Sequence, residues 1–395
     1  MHILESYALQ NDLKIDKPFA YEKFFPLAVD NFITIDTSNL GTTALAYDHW
    51  QLVVDLIYPY LEKQGIKIVQ LGEKDSVPLR NCYMAIGQCN FNQKIYVLKK
   101  SLVHICPNNE SSHMASLYNK KSVVLFSNNC FPSQYSPYWT ETSNLEILRP
   151  PDRTKKPSFN PNENPKSINS IRPEKIAEKI LSFLGVSSFV PSFKTLRIGS
   201  AFHQRRIESN LTSILDANKL GVSSLIMRMD LNFNEHILKQ QLEACPCSVI
   251  TKKPLSDETL EKYHKKIVEL VYYLEDDNDP EFIRKVREKS IKYLLRSRHG
   301  DEVTNDFKLA YLDYGLIHQI PPKDKSHFIE LKDKKNLYYK SNHFIIYNNS
   351  FYPSTAALLR RKHGSPAMNH EPHEVIDDPL FWEEEEHFHF FEKSS

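Results

Sequence analysis

Between Phe32 and Ser127, short unbroken apolar runs alternate with longer segments whose apolar residues recur at helical spacing. No other feature restricts the fold as strongly. The runs are FITID (Phe32–Asp36), IKIVQL (Ile66–Leu71), Leu102–Cys106 and Ser122–Ser127. A strand that is apolar along its whole length is covered on both faces, as strands of a parallel sheet are. The segments between predict helices at Asp48–Lys63, Phe91–Leu98 and Ser111–Tyr118. The first carries Trp50, Val53, Val54, Ile57 and Leu61 on one face, with Asp48 as its N-cap and Gly65 closing it. Strands and helices in alternation predict an α/β unit, a parallel sheet with helices on both faces.

The rest of the chain fits a second such unit. The stretch Arg149–Pro173 holds six prolines and little that could form a core, so it reads as a non-regular strap over a surface or a linker. A helix follows at Pro173–Leu184, and the alternation then resumes. Strands are predicted at Thr195–Gly199, Ser224–Met229, Ser248–Thr251, Val268–Leu274, Ile291–Leu295 and Leu309–Tyr314. Helices are predicted at Glu208–Lys219, Glu235–Ala244, Asp257–Lys266, Pro280–Glu288 and Glu302–Phe307, with Asn278-Asp279-Pro280 as a helix start. From about His327 the pattern turns to antiparallel β structure with an Asn-Asn-Ser turn. The acidic, aromatic FWEEEEHFHFFEKSS then reads as a strap or a contact for a protein partner.

Composition removes several classes of function. The 395 residues, 41% hydrophobic with a net charge of +1, describe a globular chain with no global footprint for nucleic acid or anionic membrane. There are only ten glycines, and neither GxGxxG nor GxxxxGK[ST] occurs. That argues against a P-loop and a standard dinucleotide fold, so a phosphate site would have to use Ser, Asn and backbone N–H groups at helix starts. The opening residues lack a signal-peptide pattern and no run of about 18 apolar residues occurs, which predicts a cytoplasmic protein without a membrane span. The six cysteines are then expected to be reduced, and Cys245-Pro-Cys247 has the wrong spacing for a zinc knuckle. No metal or resident cofactor is expected.

Candidate chemistry sits where predicted strands end. Asn108, Asn109, Glu110, Ser111, Ser112 and His113 lie between a strand and a helix, the edge at which open α/β sheets bind ligands. Backbone N–H groups and the two serine hydroxyls there could hold a diphosphate, or the same residues could simply cap the helix. Gly72, Glu73 and Lys74 form a second strand-end loop, suited to ribose hydroxyls and a phosphate, and Ser38 and Asn39 a third. In the second unit His203, Asp230 and Asp313 are alternative general bases for an acceptor hydroxyl, although for any single one a cap or an ion-pair partner is the favoured reading.

These segments, in their order, resemble the C-terminal nucleotide-sugar-binding domain of heptosyltransferase-type glycosyltransferases, which have the GT-B fold. The resemblance covers about residues 1–184 and rests on FITID, on YDHWQLVVDLIYPYLEKQGIKIVQLGEK, on Asn108–Ala115 at the family's DTGxxHxA loop, and on KSVVLFSN. It implies two Rossmann-like lobes: 1–188 binding the nucleotide sugar, with its Pro-rich strap at 149–173, and 189–325 facing the acceptor. A small β-rich extension follows at 326–395. Thr195–Tyr314 would supply the acceptor half in permuted order. The implied activity is metal-independent transfer of a sugar from a nucleotide-activated donor, a substrate and not a cofactor, to a hydroxyl of a glycan, nucleic acid or protein. Asn108-Asn109-Glu110 replaces the family's Asp-Thr-Gly. The alternative is therefore a catalytically degenerate member of that fold, serving as a binding or structural assembly subunit.

Overall fold

The computed structural model describes residues 1–151, 156–275, 279–319, 330–334 and 336–394. Four residues of the strap, Asn278 of the expected helix start, and the boundary expected at 325–326 lie outside these. The chain divides into two compact units, Met1–Lys194 and Thr195–Lys393.

The first unit is a six-stranded sheet, β1 (Phe32–Asp36), β2 (Lys67–Leu71), β3 (Tyr83–Met84), β4 (Val103–Pro107), β5 (Lys121–Leu125) and β6 (Leu145–Leu148). Every pairing is parallel and the order is β3-β2-β1-β4-β5-β6. Strands are thus added outward in one direction from β1 and then in the other from β4, so the order reverses between them. Helices Phe91–Lys100 and Glu110–Ser116 pack on one face, where Phe32, Val69, Leu71, Ile95, Leu98 and Met114 form a core. Helix Trp50–Lys63 packs against Pro173–Phe183. Its expected cap, Asp48, has another role: His49 occupies the N-cap position without a side-chain cap bond, and Asp48 pairs with Lys166 of the strap at 2.8 Å. Gly65 closes the helix at φ +65°, a conformation that favours glycine.

The second unit holds an eight-stranded sheet. Its strands are β8 (Arg206–Ser209), β9 (Leu225–Arg228), β10 (Cys247–Thr251), β11 (Ile267–Leu274), β12 (Tyr293–Ser297), β13 (Ile317–Gln319), β15 (His343–Tyr347) and β16 (Ser350–Tyr352). The order is β13-β12-β11-β10-β9-β8-β15-β16, antiparallel only at β15–β16. From β8 to β13 each strand is laid beside the last in one direction. Right-handed crossovers then place all the connecting helices on one face. There Leu238, Leu242, Leu260, Phe282, Ile283 and Val286 pack on Met227, Val249, Leu270, Tyr272 and Leu295. A second, four-stranded sheet is made of β7 (Phe193–Ile198), β14 (Leu337–Ser341), β17 (His373–Glu374) and β18 (Phe388–Lys393), in the order β17-β14-β18-β7.

Several expectations for this half change. Glu208–Lys219 is not a helix: Glu208 lies in β8, and turns follow. Leu309–Tyr314 is not a strand: it is the end of helix Asp301–Ala310 and a turn, and β13 comes later. The strand near 195 joins the small sheet and not the parallel one. The tail is no separate extension either, because β15 hydrogen-bonds in parallel with β8. Its Asn348-Asn349 turn does form, with φ of 46° and 61°, the left-handed pair that a two-residue hairpin requires. The aromatic residues of the last stretch are core: Phe381, Trp382, Phe388 and Phe390 are buried against Tyr339. Among the described residues no helix is long and apolar enough to cross a membrane, and no group of three or more His, Cys, Asp or Glu is placed to hold a metal.

Candidate functional site

The reversal of strand order leaves a crevice outside the carboxyl ends of β1 and β4, the position at which open α/β sheets hold ligands. Two of the three predicted loops meet there. Asn109 Nδ2 donates to the carbonyl of Ser38 at 3.1 Å, joining the loop after β1 to the loop after β4. Asn109 Oδ1 accepts from the backbone N–H and the hydroxyl of Ser111, at 3.0 and 2.7 Å, and caps helix Glu110–Ser116. The Ser112 hydroxyl donates to the Asn109 carbonyl at 2.7 Å. Ser38, Asn109, Ser111 and Ser112 are all buried. Asn39 accepts from the N–H of Gly41.

Beneath the loops lie residues that the sequence reading did not single out. Asp36, fully buried at the end of β1, accepts from Ser38 N–H (2.9 Å) and Ser38 Oγ (2.6 Å). Its second oxygen lies 3.5 Å from Lys94 Nζ, and Lys94 also holds Glu110 at 3.0 Å. Burial pushes the Asp36 carboxyl up, but the Lys94 ammonium and the Ser38 bonds outweigh it and hold it below its usual range. Lys94 is raised, because the two carboxylates outweigh its desolvation. On the other side His104 stands between Thr34 Oγ1 and Ser111 Oγ, 2.9 Å from each. Since Ser111 donates to Asn109, His104 Nε2–H must donate to Ser111 and Nδ1 must accept from Thr34. The sequence marks the members of this network but not their meeting: Thr34 and Asp36 share one face of β1, and His104 interrupts an apolar strand.

Burial lowers His104 to about 4, so the ring is neutral at neutral pH. The sign of the linkage follows. In the unfolded chain the ring takes a proton near pH 6.5, while in the folded chain it resists protonation down to about 4. Stability is therefore complete above about pH 6.5 and lost progressively as the pH falls to about 4, by roughly 3 kcal/mol in all. Urea unfolding of the first unit is expected to show that slope, and His104→Gln to flatten it between those limits.

The third loop adjoins the first through Thr37, the residue before Ser38, whose hydroxyl and N–H both donate to the Leu71 carbonyl. Gln70 donates to Thr37 Oγ1 and the Val77 carbonyl and accepts from Leu79 N–H, shaping the turn after β2. Gly72 is required by close approach: a Cβ would lie 2.6 Å from Ser76 Oγ and 3.1 Å from Thr37 Oγ1. Glu73 is half-buried and Lys74 exposed.

The strap is tied to two of the loops beside the crevice. Ser158 and Phe159 N–H groups donate to the carbonyls of Asn128 and Asn129, just after β5. Pro161 accepts from Ala44 N–H, and Glu163 N–H donates to Thr43 Oγ1, both in the loop after β1. β1 and β5 flank β4, so these bonds tie the strap to the loops on either side of β4. Asn108 Oδ1 is buried with no partner among the described residues. His113 is half-buried and lowered, by burial first and then by the nearby His2.

The three base candidates do not converge. Asp230 follows β9 at the carboxyl end of the large sheet, but its carboxylate is held by Arg228 Nε and Nη2 at 2.8 and 2.9 Å. His203 is exposed in the turn before β8, and Asp313 is exposed before β13, at the opposite end of the sheet from Asp230 and five strands from β8. Arg228 reaches on to Glu208 at 2.5 Å and Thr355 Oγ1 at 3.1 Å. Glu208 also takes Arg206 at 2.7 Å and lies 3.1 Å from His343. Thr355 in turn bonds Glu384 through both its N–H and its hydroxyl.

No protein-family model matches the chain, and no curated protein does. Among solved structures it is similar to a family 9 glycosyl transferase from Veillonella parvula: 12% identity, TM-score 0.30, covering 40% of this chain and 47% of that one. It is also similar to the ADP-heptose LPS heptosyltransferase II of E. coli: 15% identity, TM-score 0.31, covering 46% of this chain and 50% of that one. The chain thus spans about half the length of either.

Proposed function

We propose that the first unit binds a nucleotide-activated sugar in the crevice between β1 and β4, and that the protein is a glycosyltransferase of the GT-B type acting on an acceptor hydroxyl. The observation that carries this reading is the reversal of strand order at the point where the Ser38 and Asn109 loops meet. Asn108, with an unpartnered buried oxygen, is the group available to a nucleoside or sugar hydroxyl. Lys94 is the cation available to a phosphate, which would displace Glu110 from it, since Glu110 is 45% exposed and free to turn to solvent.

One observation favours a second reading, a scaffold that keeps the fold without the transfer. The Ser38 hydroxyl is spent on Asp36 and the side chains of Asn109, Ser111 and Ser112 on the loops themselves, and Asp36 and Glu110 place two carboxylates against one ammonium.

Thermal unfolding with nucleoside diphosphates and nucleotide sugars separates the two. A bound nucleotide at a hundredfold excess over its Kd adds about 2.7 kcal/mol and raises Tm by several degrees. Asn108→Ala is expected to abolish the shift. Glu110→Gln is expected to enlarge it, because it removes the like charge that competes for Lys94. If no nucleotide raises Tm and no donor is hydrolysed, the transferase reading fails and the scaffold reading stands.

A further inference from the structure

A second recess lies in the first unit, away from the crevice. It is a cleft of about 520 Å³ at the outer edge strand β6. Leu145 and Ile147 of β6 form an apolar floor, and Tyr138 adds an aromatic ring to the wall. The start of helix Ile3–Gln10 closes one side. His2 caps that helix through Nδ1 and donates Nε2–H to the Ser136 carbonyl at 2.9 Å, which fixes the helix start against the 133–142 segment. The His2 and Tyr138 rings pack with centroids 4.8 Å apart.

The polar lining is specific in kind. Thr140 Oγ1 is buried and has no hydrogen-bond partner among the described residues, although Thr140 lines the cleft. A buried hydroxyl without a partner costs free energy that a ligand or water recovers. Ser133 and Thr142, both exposed, add two more hydroxyls to the lining. Glu5 supplies one carboxylate, oriented by the N–H of His2 at 2.9 Å and by the Tyr138 hydroxyl at 3.4 Å.

We propose that this cleft binds a neutral saccharide. No lysine or arginine side chain lines it, and the Glu5 carboxylate repels anions, which disfavours a phosphate or sulfate ligand. A purely apolar ligand would leave Thr140 Oγ1 unpaired. A sugar ring offers what each wall needs: hydroxyls that donate to Glu5 and exchange bonds with Thr140, Ser133 and Thr142, and a C–H face for Tyr138 and the Leu145–Ile147 floor. The size lies within the ordinary range of small-molecule clefts. The assignment is independent of nucleotide binding in the crevice.

Saturation-transfer NMR on the full chain, with methyl glucoside, methyl mannoside and N-acetylglucosamine as probes and no nucleotide present, tests it. Ring protons of at least one sugar are expected to receive saturation. Thr140→Val keeps the side-chain shape and Tyr138→Ala removes the ring, and each is expected to weaken the measured Kd about tenfold. An unfolding midpoint for Thr140→Val that does not fall, and rises if the hydroxyl is unpaired in the free protein, separates loss of the hydroxyl from loss of the fold. No saturation from any of the three sugars, or binding that either variant leaves unchanged, overturns the proposal. A chain that binds sugar here and no nucleotide at the crevice would retain this site and lose the transferase reading.

Discussion

Replacing Arg228 with methionine is expected to destabilise the second unit by roughly 3–5 kcal/mol, because it breaks a buried charge network by removing one partner. Arg228 is 6% exposed, and its two principal partners, Glu208 and Asp230, are each 1% exposed. Burial opposes the Arg228 charge, but Glu208 and Asp230 outweigh it and raise the guanidinium well above its usual range. Glu208 is held well below the usual carboxylate range: His343, Arg228 and Arg206 together overcome its desolvation. The two acids differ in what the substitution leaves them. Glu208 keeps Arg206 and His343, while Asp230 loses both of its side-chain bonds. Arg228→Lys is expected to recover only part of the loss, since one ammonium cannot reproduce the fork that grips Asp230. Hydrogen exchange at the amides of β8 and β9 reads the effect in this unit alone, as a chain of two units need not unfold in one step. A loss below about 1 kcal/mol would mean that water screens these charges as it does surface pairs.

The second large effect is expected at Lys94. Lys94→Met leaves Asp36 ionised and fully buried without its ammonium partner, with the Ser38 bonds and the neutral His104 ring nearby, and a cost of about 3 kcal/mol or more is expected at neutral pH. The loss should shrink as the pH falls, because protonating Asp36 removes the stranded charge. Asp36→Asn in the Lys94→Met background is expected to restore much of the stability, as an amide can still accept the Ser38 bonds. The double-mutant cycle then gives a coupling energy on the order of 2 kcal/mol between the two side chains. A coupling near zero would show that Lys94 is held by Glu110 alone. The same variants separate stability from binding: Lys94→Met should cost nucleotide affinity even at a pH where the unit is fully folded.

Four strands of the first unit, β1, β2, β4 and β5, were legible from the sequence because they are buried on both faces, and helices Trp50–Lys63 and Phe91–Lys100 because each has one apolar stripe, so local pattern and tertiary environment agree there; β3 is exposed and β6 half-buried, and neither stood out. The sequence also pointed to the polar loops after β1 and β4, which Asn109 and Ser38 join. What it missed was the layer beneath. Asp36, Lys94 and His104 find their partners only once β1, β4 and helix Phe91–Lys100 have come together, and no local spacing encodes that meeting. In the second unit β8 was hidden because Glu208 reads as the charged start of a helix. Its burial is offset by Arg228 and His343, from distant parts of the chain, and partners that remote override local propensity. Likewise Asp313 looked like a strand-end acid because the run Leu309–Tyr314 is apolar, whereas Tyr311 alone is deeply buried and Leu309 and Leu312 face solvent.

The strand order of the two units gives them different histories as the chain is made. All six strands of the first sheet lie within residues 32–148, so that unit can close as soon as its own segment has left the ribosome. The second unit cannot. β8 waits for β15, whose residues come more than a hundred positions later, and β7 waits for β18, near the end of the chain. Until then the exposed edges of β7 and β8 offer unpaired N–H and C=O groups to any passing strand. Synthesis should therefore release a finished first unit tethered to a half-built second one. A chaperone, or misassembly with a second copy, would meet the protein first along those two edges.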